Sequence, residues 1–330
     1  GFVTHEDEQP ARIPEFTRDY LAPLARRCRE HNARIFFVEK NVWWFDTPAL
    51  EGVGSALLRP ELAPVLVAGT DDANSRTPEI NLMSRFGLRQ AGLVGHIMAG
   101  TINDLYAFNR MHEWEYPKHG HPFFRLLVAT TALGADTFNF RGDIHRGEVF
   151  TELGAEAFAP FLHLLGKGWL FAPRPEQAVG TCPVGLVIHH PPEFWIADAH
   201  GGHINNAWTE NPDLQNAVFP NNSTLWGLAP TPAHSFSAAL FRKSRQGLNH
   251  VPATPYGPVV MVPAHADRTS IPGVKLWWHT DGVHAWSDDG TRLGGPEAAA
   301  ALTRDLEALA HHLPFRPTGD DAFFHSIQVD

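Results

Sequence analysis

The sequence has few cysteines, no run of basic residues and no long apolar run, and each of these absences narrows the class of protein. Cys28 and Cys182 are the only two cysteines, and they provide neither a disulfide framework nor a metal-binding pair. No apolar stretch approaches the roughly 20 residues that a membrane-spanning helix needs. The net charge of −10 argues against a nucleic-acid backbone as partner. We therefore expect no membrane span and no nucleic-acid partner, and a sugar or another uncharged ligand suits the chain better.

Several common catalytic motifs are missing as well. The chain has no phosphate-cradling glycine loop, no G-x-S-x-G nucleophile elbow and no HExxH zinc motif. We accordingly predict no cofactor. The chain opens GFVTHED, without a charged leader that runs into an apolar segment, and we expect it to be a fragment or a processed chain.

What the first half of the sequence does contain is an alternation of short apolar strands with helices. The predicted strands are residues 1–8, 34–38, 64–72, 93–100 and 137–143. Alternation of this kind predicts a parallel sheet with right-handed crossovers. Five such units are too few for a closed eight-stranded barrel. We predict an α/β fold whose first domain is a (β/α)8 barrel-like domain that lacks roughly its first three units.

The second half of the sequence has a different pattern of predicted elements. A Pro-rich boundary over 171–183 is followed by predicted strands at 184–190 and 258–265, a hairpin within 274–293 and a helix over 296–313. Residues 191–235 lack periodicity and are interpreted as a long functional loop or an insertion. We predict two domains: a barrel catalytic domain over 1–170 and a smaller α/β accessory domain with a β-hairpin over 171–330.

Carboxylates stand at the ends of the predicted parallel strands, where α/β proteins keep their active sites. Glu6, Glu39 and Asp71 are the candidate catalytic residues. Glycoside hydrolysis uses two carboxylates across a cleft, one ionised and the other held protonated. The preferred pair is Glu39 or Glu6 with Asp71, with acid and nucleophile unassigned. For each carboxylate taken alone, capping a helix or binding a loop amide is the competing interpretation.

Aromatic and charged residues near the same strand ends are the candidate substrate-binding groups. Ten tryptophans against four tyrosines suit a site that stacks sugar rings, although packing explains many of them equally well. Lys40 and Arg76 could meet a sulfate or uronate group, or be solvated at the surface. The full candidate binding set is Lys40, Trp43, Trp44, Asp72, Arg76, His96, Trp114 and Asp143. His189 and His190 end a strand in the second domain and receive no role.

Two other interpretations stay open. A metal-dependent sugar isomerase or hydrolase would hold a divalent ion with strand-end residues, namely His5, Glu39, Asp71, His96 and Asp143. A non-catalytic carbohydrate-binding protein would keep the strand ends but lose the carboxylate pair. Bound metal would favour the first, and carboxylates separated by much more than about 10 Å would favour the second.

One stretch of the chain has a known layout. Residues 137–190 contain the run TFNFRGD, a helix, and the segments LLGKGWLFAPRPEQ and CPVGLVIHH, and VKLWWHTDGVHAWSDDG and LPFRPTGDD follow later. This layout resembles that of polysaccharide-degrading (β/α)8-barrel glycoside hydrolases of the agarase or carrageenase type. The resemblance implies hydrolysis of a polysaccharide, with a sulfated or otherwise anionic one included, and a secreted or periplasmic location. An Asn-Glu pair is expected at the fourth strand of such barrels, and His5-Glu6-Asp7 stands there instead.

Overall fold

The computed structural model describes residues 13–39, 44, 47–50, 52–70, 79–101, 121–140, 145–146, 149–150, 154–189, 258–281, 284–288 and 290–309. The described chain begins with a helical segment made of α1 (Ile13–Phe16), a π-helical turn (Thr17–Leu21) and α2 (Ala22–Glu30). A proline lies in the first turn of α2 and arginines lie in its last turn, where cations suit the helix dipole. Apolar residues recur at helical spacing over 15–31, which explains why this segment is helical.

Four strands form the first sheet, in the order β1-β2-β3-β4. Their bounds are β1 (Ile35–Glu39), β2 (Leu66–Thr70), β3 (His96–Thr101) and β4 (Ala135–Phe140). All three neighbouring pairs are parallel. Each strand therefore pairs with the next one in the sequence, as strands of a (β/α) unit series do. The described strands form an open row, and closure into a barrel does not follow from them.

Helices connect these strands. They are α3 (Gly54–Leu57), α4 (Glu79–Gln90), α5 (His121–Ala132) and α6 (Ala159–Gly166), joined by 3-10 turns at Thr47–Ala49, Ala63–Val65 and Pro175–Gln177. A short antiparallel pair, β5 (His145–Arg146) with β6 (Val149–Phe150), and a π-helical turn at Gly154–Phe158 precede α6. An apolar cluster under α5 and α6 joins Ile97 and Ala99 of β3 to Phe161 of α6. Burial of this cluster fixes both helices on one face of the sheet.

The second sheet has five strands in the order β11-β10-β9-β7-β8. The strands are β7 (Val184–Ile188), β8 (Met261–Pro263), β9 (Leu276–Thr280), β10 (His284–Ser287) and β11 (Leu293–Gly294), and α7 (Gly295–Leu309) follows. β7 pairs parallel with β8 and with β9, whereas β9, β10 and β11 are antiparallel neighbours. The predicted hairpin is confirmed as β9–β10.

Helix α4 lies between the two sheets. Its Met83 and Phe86 belong to one apolar cluster with Leu66 and Ala68 of β2 and with residues of β7, β8 and α7. Gly87 makes this packing possible, because a Cβ there would stand 2.0 Å from the Met261 carbonyl oxygen of β8. A single core thus runs from the first sheet through α4 to the second sheet.

The observed architecture is mixed α/β with parallel strands in both sheets, as the sequence predicts. The predicted strand at 1–8 and a predicted last strand, AFFHSIQV over 322–329, lie outside the described residues. The division at residue 170 stays a prediction. The shared core and the hydrogen bond from Arg89 Nη1 to the Pro173 carbonyl oxygen, 2.8 Å long, link the regions on either side of it.

Candidate functional site

The carboxyl ends of the first four strands lie along one edge of the first sheet. Glu39 is the last residue of β1 and its Cα pairs with that of Thr70, the last residue of β2. Thr101 of β3 pairs in the same way with Phe140 of β4. Ligands of open parallel sheets bind outside this edge. Glu39 therefore lies where the sequence predicts a site, next to the strand that immediately precedes Asp71 in the chain.

Most of the predicted site residues lie outside the described part of the chain. For Glu39 the description covers the backbone alone. The predicted residues outside the described ranges are Glu6, Lys40, Trp43, Asp71, Asp72, Arg76, Trp114 and Asp143. Their roles stay predictions.

Trp44 is placed in the core. Its side chain is 2% exposed, its indole N–H donates to the Gly69 carbonyl oxygen at 2.8 Å, and its ring meets Phe37 edge-on at 5.4 Å. Gly69 belongs to β2 and Phe37 to β1, so the indole contacts both strands. These contacts favour the packing interpretation of Trp44 over the stacking platform for a sugar.

His96 does not share the edge that the sequence analysis gave it, and that placement was wrong. It is the first residue of β3, and its Cα pairs with that of Val67 near the start of β2. A strand of six residues separates its two ends by about 16 Å. His96 Nδ1 instead lies 2.6 Å from Asp136 Oδ2 at the start of β4. The apolar residues at 93–95 extend the predicted strand toward the N-terminus, whereas β3 begins at His96 itself.

The second sheet has a polar cluster that the sequence analysis missed. His189 follows β7 directly, its backbone N–H donates to the Thr280 carbonyl oxygen at the end of β9, and both strands run the same way. His189 Nε2 lies 2.8 Å from His279 Nδ1, and His279 Nε2 lies 2.6 Å from Asp288 Oδ1. We call the chain of these three side chains the histidine relay. It stands at the carboxyl ends of the parallel strands of this sheet.

The acidic end of the relay fixes its protons. The hydrogen bond from His279 is the largest influence on Asp288 and lowers the pKa of that carboxyl, which keeps it ionised. An ionised carboxylate only accepts hydrogen bonds, so His279 Nε2 carries the proton of that bond. Burial, with the nearby His279, Arg292 and Arg268, lowers the pKa of His189 and keeps its ring neutral.

Aromatic and cationic groups surround the relay. The Trp286 ring lies parallel to His279 at a 5.6 Å centroid distance, and the Arg292 guanidinium stands 4.7 Å from the same indole. Arg268 Nη1 is 3.4 Å from both Asp288 Oδ1 and His279 Nε2. Arg292 also pairs with Asp281, which is 3% exposed and accepts the His284 backbone N–H at 2.7 Å. These contacts hold the imidazoles in place.

The sequence contains one local signal for this cluster. His189 and His190 end an apolar strand, the same position that made Glu39 a candidate in the first sheet. The pairing of β7 with β9 brings His279 to His189, although 90 positions separate them. Within the ranges that the structure describes, no group of three or more His, Cys, Asp or Glu side chains is arranged to hold a metal ion.

Comparison with known families decides which family the chain belongs to. The family model of the lambda-carrageenase middle domain matches residues 5–285. The chain belongs to this family. The match covers the whole first sheet and strands β7 to β9 of the second, and it confirms the carrageenase-type resemblance of the sequence.

Two curated relatives carry the same name. The chain is 23% identical over 323 residues to a lambda-carrageenase of Pseudoalteromonas carrageenovora, with 92% of this chain and 33% of the relative covered. It is 23% identical over 266 residues to a lambda-carrageenase of Pseudoalteromonas sp, with 81% and 27% covered. The chain thus spans about a third of the length of these relatives.

Solved structures of glycoside hydrolases also match. The catalytic module of a family 98 glycoside hydrolase from Streptococcus pneumoniae TIGR4, in complex with the H-disaccharide blood group antigen, aligns with a TM-score of 0.44 and 13% identity over 86% of this chain and 51% of that chain. The same module in complex with the LewisY pentasaccharide aligns with a TM-score of 0.43 and 12% identity. In the described part of the present chain, no helix combines the length and apolarity that crossing a bilayer requires.

Proposed function

We propose that this chain is part of a glycoside hydrolase that cleaves a sulfated polysaccharide of the carrageenan type. The observation that carries the proposal is the match of the lambda-carrageenase middle domain model over residues 5–285, which is most of the chain. The names of the two curated relatives support the same substrate class. The net charge of −10 means that a polyanionic substrate must be met by local cations and not by the overall charge of the chain.

Two carboxylates from neighbouring strand ends would perform the hydrolysis. Neighbouring strands lie about 4.8 Å apart, and the carboxyl groups of a retaining glycosidase lie about 5 to 5.5 Å apart. The pairing of Glu39 with Thr70, the residue before Asp71, supports Glu39 and Asp71 as such a pair. Glu6 is the alternative partner for Asp71. One carboxyl group stays protonated so that it can donate its proton to the leaving oxygen, and the other stays ionised.

The remaining predicted residues would bind the substrate around this pair. Trp43 and Trp114 would stack on sugar rings, and Lys40 and Arg76 would meet sulfate groups. Asp72 and Asp143 would accept hydrogen bonds from sugar hydroxyls. Lys40 and Trp43 follow Glu39 closely in the sequence, which supports their placement beside the cleaved bond.

The test is release of reducing ends by the full-length gene product from a panel of carrageenans and neutral galactans. We expect turnover of a carrageenan, and we expect Glu39→Gln and Asp71→Asn to lose about 100- to 10,000-fold in kcat, the range for removal of a general acid or base. Glu30→Gln is the matched control, because Glu30 is exposed at the end of α2, before β1 begins.

Two outcomes would contradict the proposal. Turnover confined to neutral polysaccharides would exclude the sulfated substrate class. Full carrageenan turnover by a variant with alanine at both Glu6 and Glu39 would exclude the carboxylate assignment while leaving the substrate class intact.

A further inference from the structure

We infer that the histidine relay of the second sheet is a sugar-binding subsite, in which His189 Nδ1 accepts a hydrogen bond from a hydroxyl group of the substrate. The choice of ligand rests on the proposed function, whereas the arrangement of the relay does not. None of the residues of the relay belongs to the carboxylate site of the first sheet.

The first step of the argument is the tautomer of His279. Its Nε2 must carry a proton, because Asp288 Oδ1 at 2.6 Å is an ionised acceptor. We assign the proton between the two rings to His189 Nε2, which makes Nδ1 of His279 the acceptor. The only partner at that nitrogen among the described side chains is His189 Nε2, at 2.8 Å. With His189 as the donor of this bond, its own Nδ1 carries the lone pair.

The second step is that this lone pair remains available. Among the described residues, no group forms a hydrogen bond with His189 Nδ1. The atom is also not one of the fully buried polar atoms without a partner, so a ligand can reach it. His189 itself is half-buried. It directly follows β7 at the carboxyl end of a parallel pair, the edge outside which open sheets bind ligands. The relay therefore presents one oriented acceptor at that edge.

The third step is the chemistry of the ligand. A sulfate ester or a carboxylate has no proton to give to the lone pair of His189. A cationic donor would be repelled by Arg268 and Arg292, which already act on the His189 ring. A neutral hydroxyl group satisfies both conditions. Sugar hydroxyls donate and accept at once, and the guanidinium groups of the same cluster provide donors for their oxygen atoms.

The charged and titratable groups that face the relay come from several elements. β9 contributes His279 and, just beyond its end, Asp281. The hairpin strand β10 contributes His284 and is followed by Asp288. Arg268 follows β8, and Arg292 precedes β11. Arginines engage both of these carboxylates, so neither is left unengaged beside the His189 ring to stabilise a proton on Nδ1.

The test is 15N NMR of the histidine rings in the intact 330-residue chain, with His189 and His279 assigned from the His189→Ala and His279→Ala variants. At pH 7.5 we expect a proton on Nε2 of each ring and none on Nδ1 of His189. On titration with carrageenan oligosaccharides we expect the His189 Nδ1 resonance to move while the Nε2 resonances keep their positions. A proton on His189 Nδ1 at this pH would overturn the proposal.

Binding by the variants gives the second measurement. His189→Ala should bind the oligosaccharides about 3- to 10-fold more weakly, as expected for one neutral hydrogen bond, and His31→Ala, altered at an exposed helix end, should bind like wild type. Asp288→Asn, a change in a positioning residue, should shift His279 toward the other tautomer. Unchanged affinity of His189→Ala, or no binding by wild type, would overturn the subsite. Release of reducing ends tests the hydrolase proposal independently of these binding measurements.

Discussion

At the scale of single residues, packing decides more than residue type does. Trp44 and Trp43 are neighbours in the sequence and received the same predicted role, yet the Trp44 ring is enclosed by β1 and β2. Glycine at position 87 is required for a comparable reason. The backbone of α4 approaches β8 so closely that a side chain would displace main-chain atoms of Met261.

Gly87→Ala is expected to lower the free energy of unfolding by about 1 to 3 kcal/mol, the usual cost of overpacking a tight core. Urea denaturation followed by circular dichroism measures the change. Gly166→Ala is the matched control, since a Cβ at Gly166 meets nothing within 4 Å. Equal stabilities for the two variants would show that α4 and β8 can separate without cost.

At the scale of elements, polar side chains tie helices to sheets at defined points. The indole N–H of Trp278, a residue of β9 that is 3% exposed, donates to Asp305 Oδ2 of α7 at 2.8 Å. Leu302 and Leu306 on the same helix are buried in the common core. The apolar residues hold α7 against the sheet, and the Trp278–Asp305 bond fixes its rotation and register.

Trp278→Phe is expected to destabilise the protein by about 1.5 to 3 kcal/mol, because it removes a hydrogen bond to a charged acceptor from a buried site. A double-mutant cycle with Asp305→Ala separates the bond from the lost ring area. Glu307→Gln, at an exposed position of α7, should change the free energy of unfolding by less than about 0.5 kcal/mol. Strictly additive effects of Trp278→Phe and Asp305→Ala would mean that the bond contributes nothing.

At the scale of the whole molecule, two histidines with lowered pKa values make stability depend on pH. Burial lowers the pKa of His189 and of His265 from the ordinary value of 6.5. His265 Nε2 lies 3.3 Å from the Leu58 carbonyl oxygen and so connects the segment after β8 to α3. Below pH 6.5 these histidines bind protons more readily in the unfolded chain than in the native protein. Their contribution to the free energy of unfolding is therefore complete above that pH and is lost as pH falls.

Thermal unfolding between about pH 7.5 and 5.5 should therefore show a falling Tm, in a range where carboxylates stay ionised. His189→Gln and His265→Gln should each make that decline shallower, and the double variant should make it shallower still. His31→Gln, at an exposed position, serves as the control. A decline that is the same in wild type and in the double variant would assign the pH dependence to other groups.

Sequence by itself determined the local structure and the family of this protein. Apolar periodicity placed β1 to β4, the β9–β10 hairpin and the final helix, because hydrophobic spacing is a property of neighbouring residues. The segments over 137–190 carried a resemblance that the family match confirmed. The sequence also put Glu39 at a strand end, and the parallel register put that end beside the end of β2.

Only the tertiary structure decided which distant residues meet. It moved His96 to the opposite edge of its sheet, placed Trp44 in the core, and brought His189, His279 and Asp288 together. Strand order and register follow from the burial of both sheets around α4, a balance of contacts over the whole chain that no local pattern contains. A periodic pattern relates residues that are close in the sequence, whereas residues 90 positions apart are brought together only by the tertiary fold.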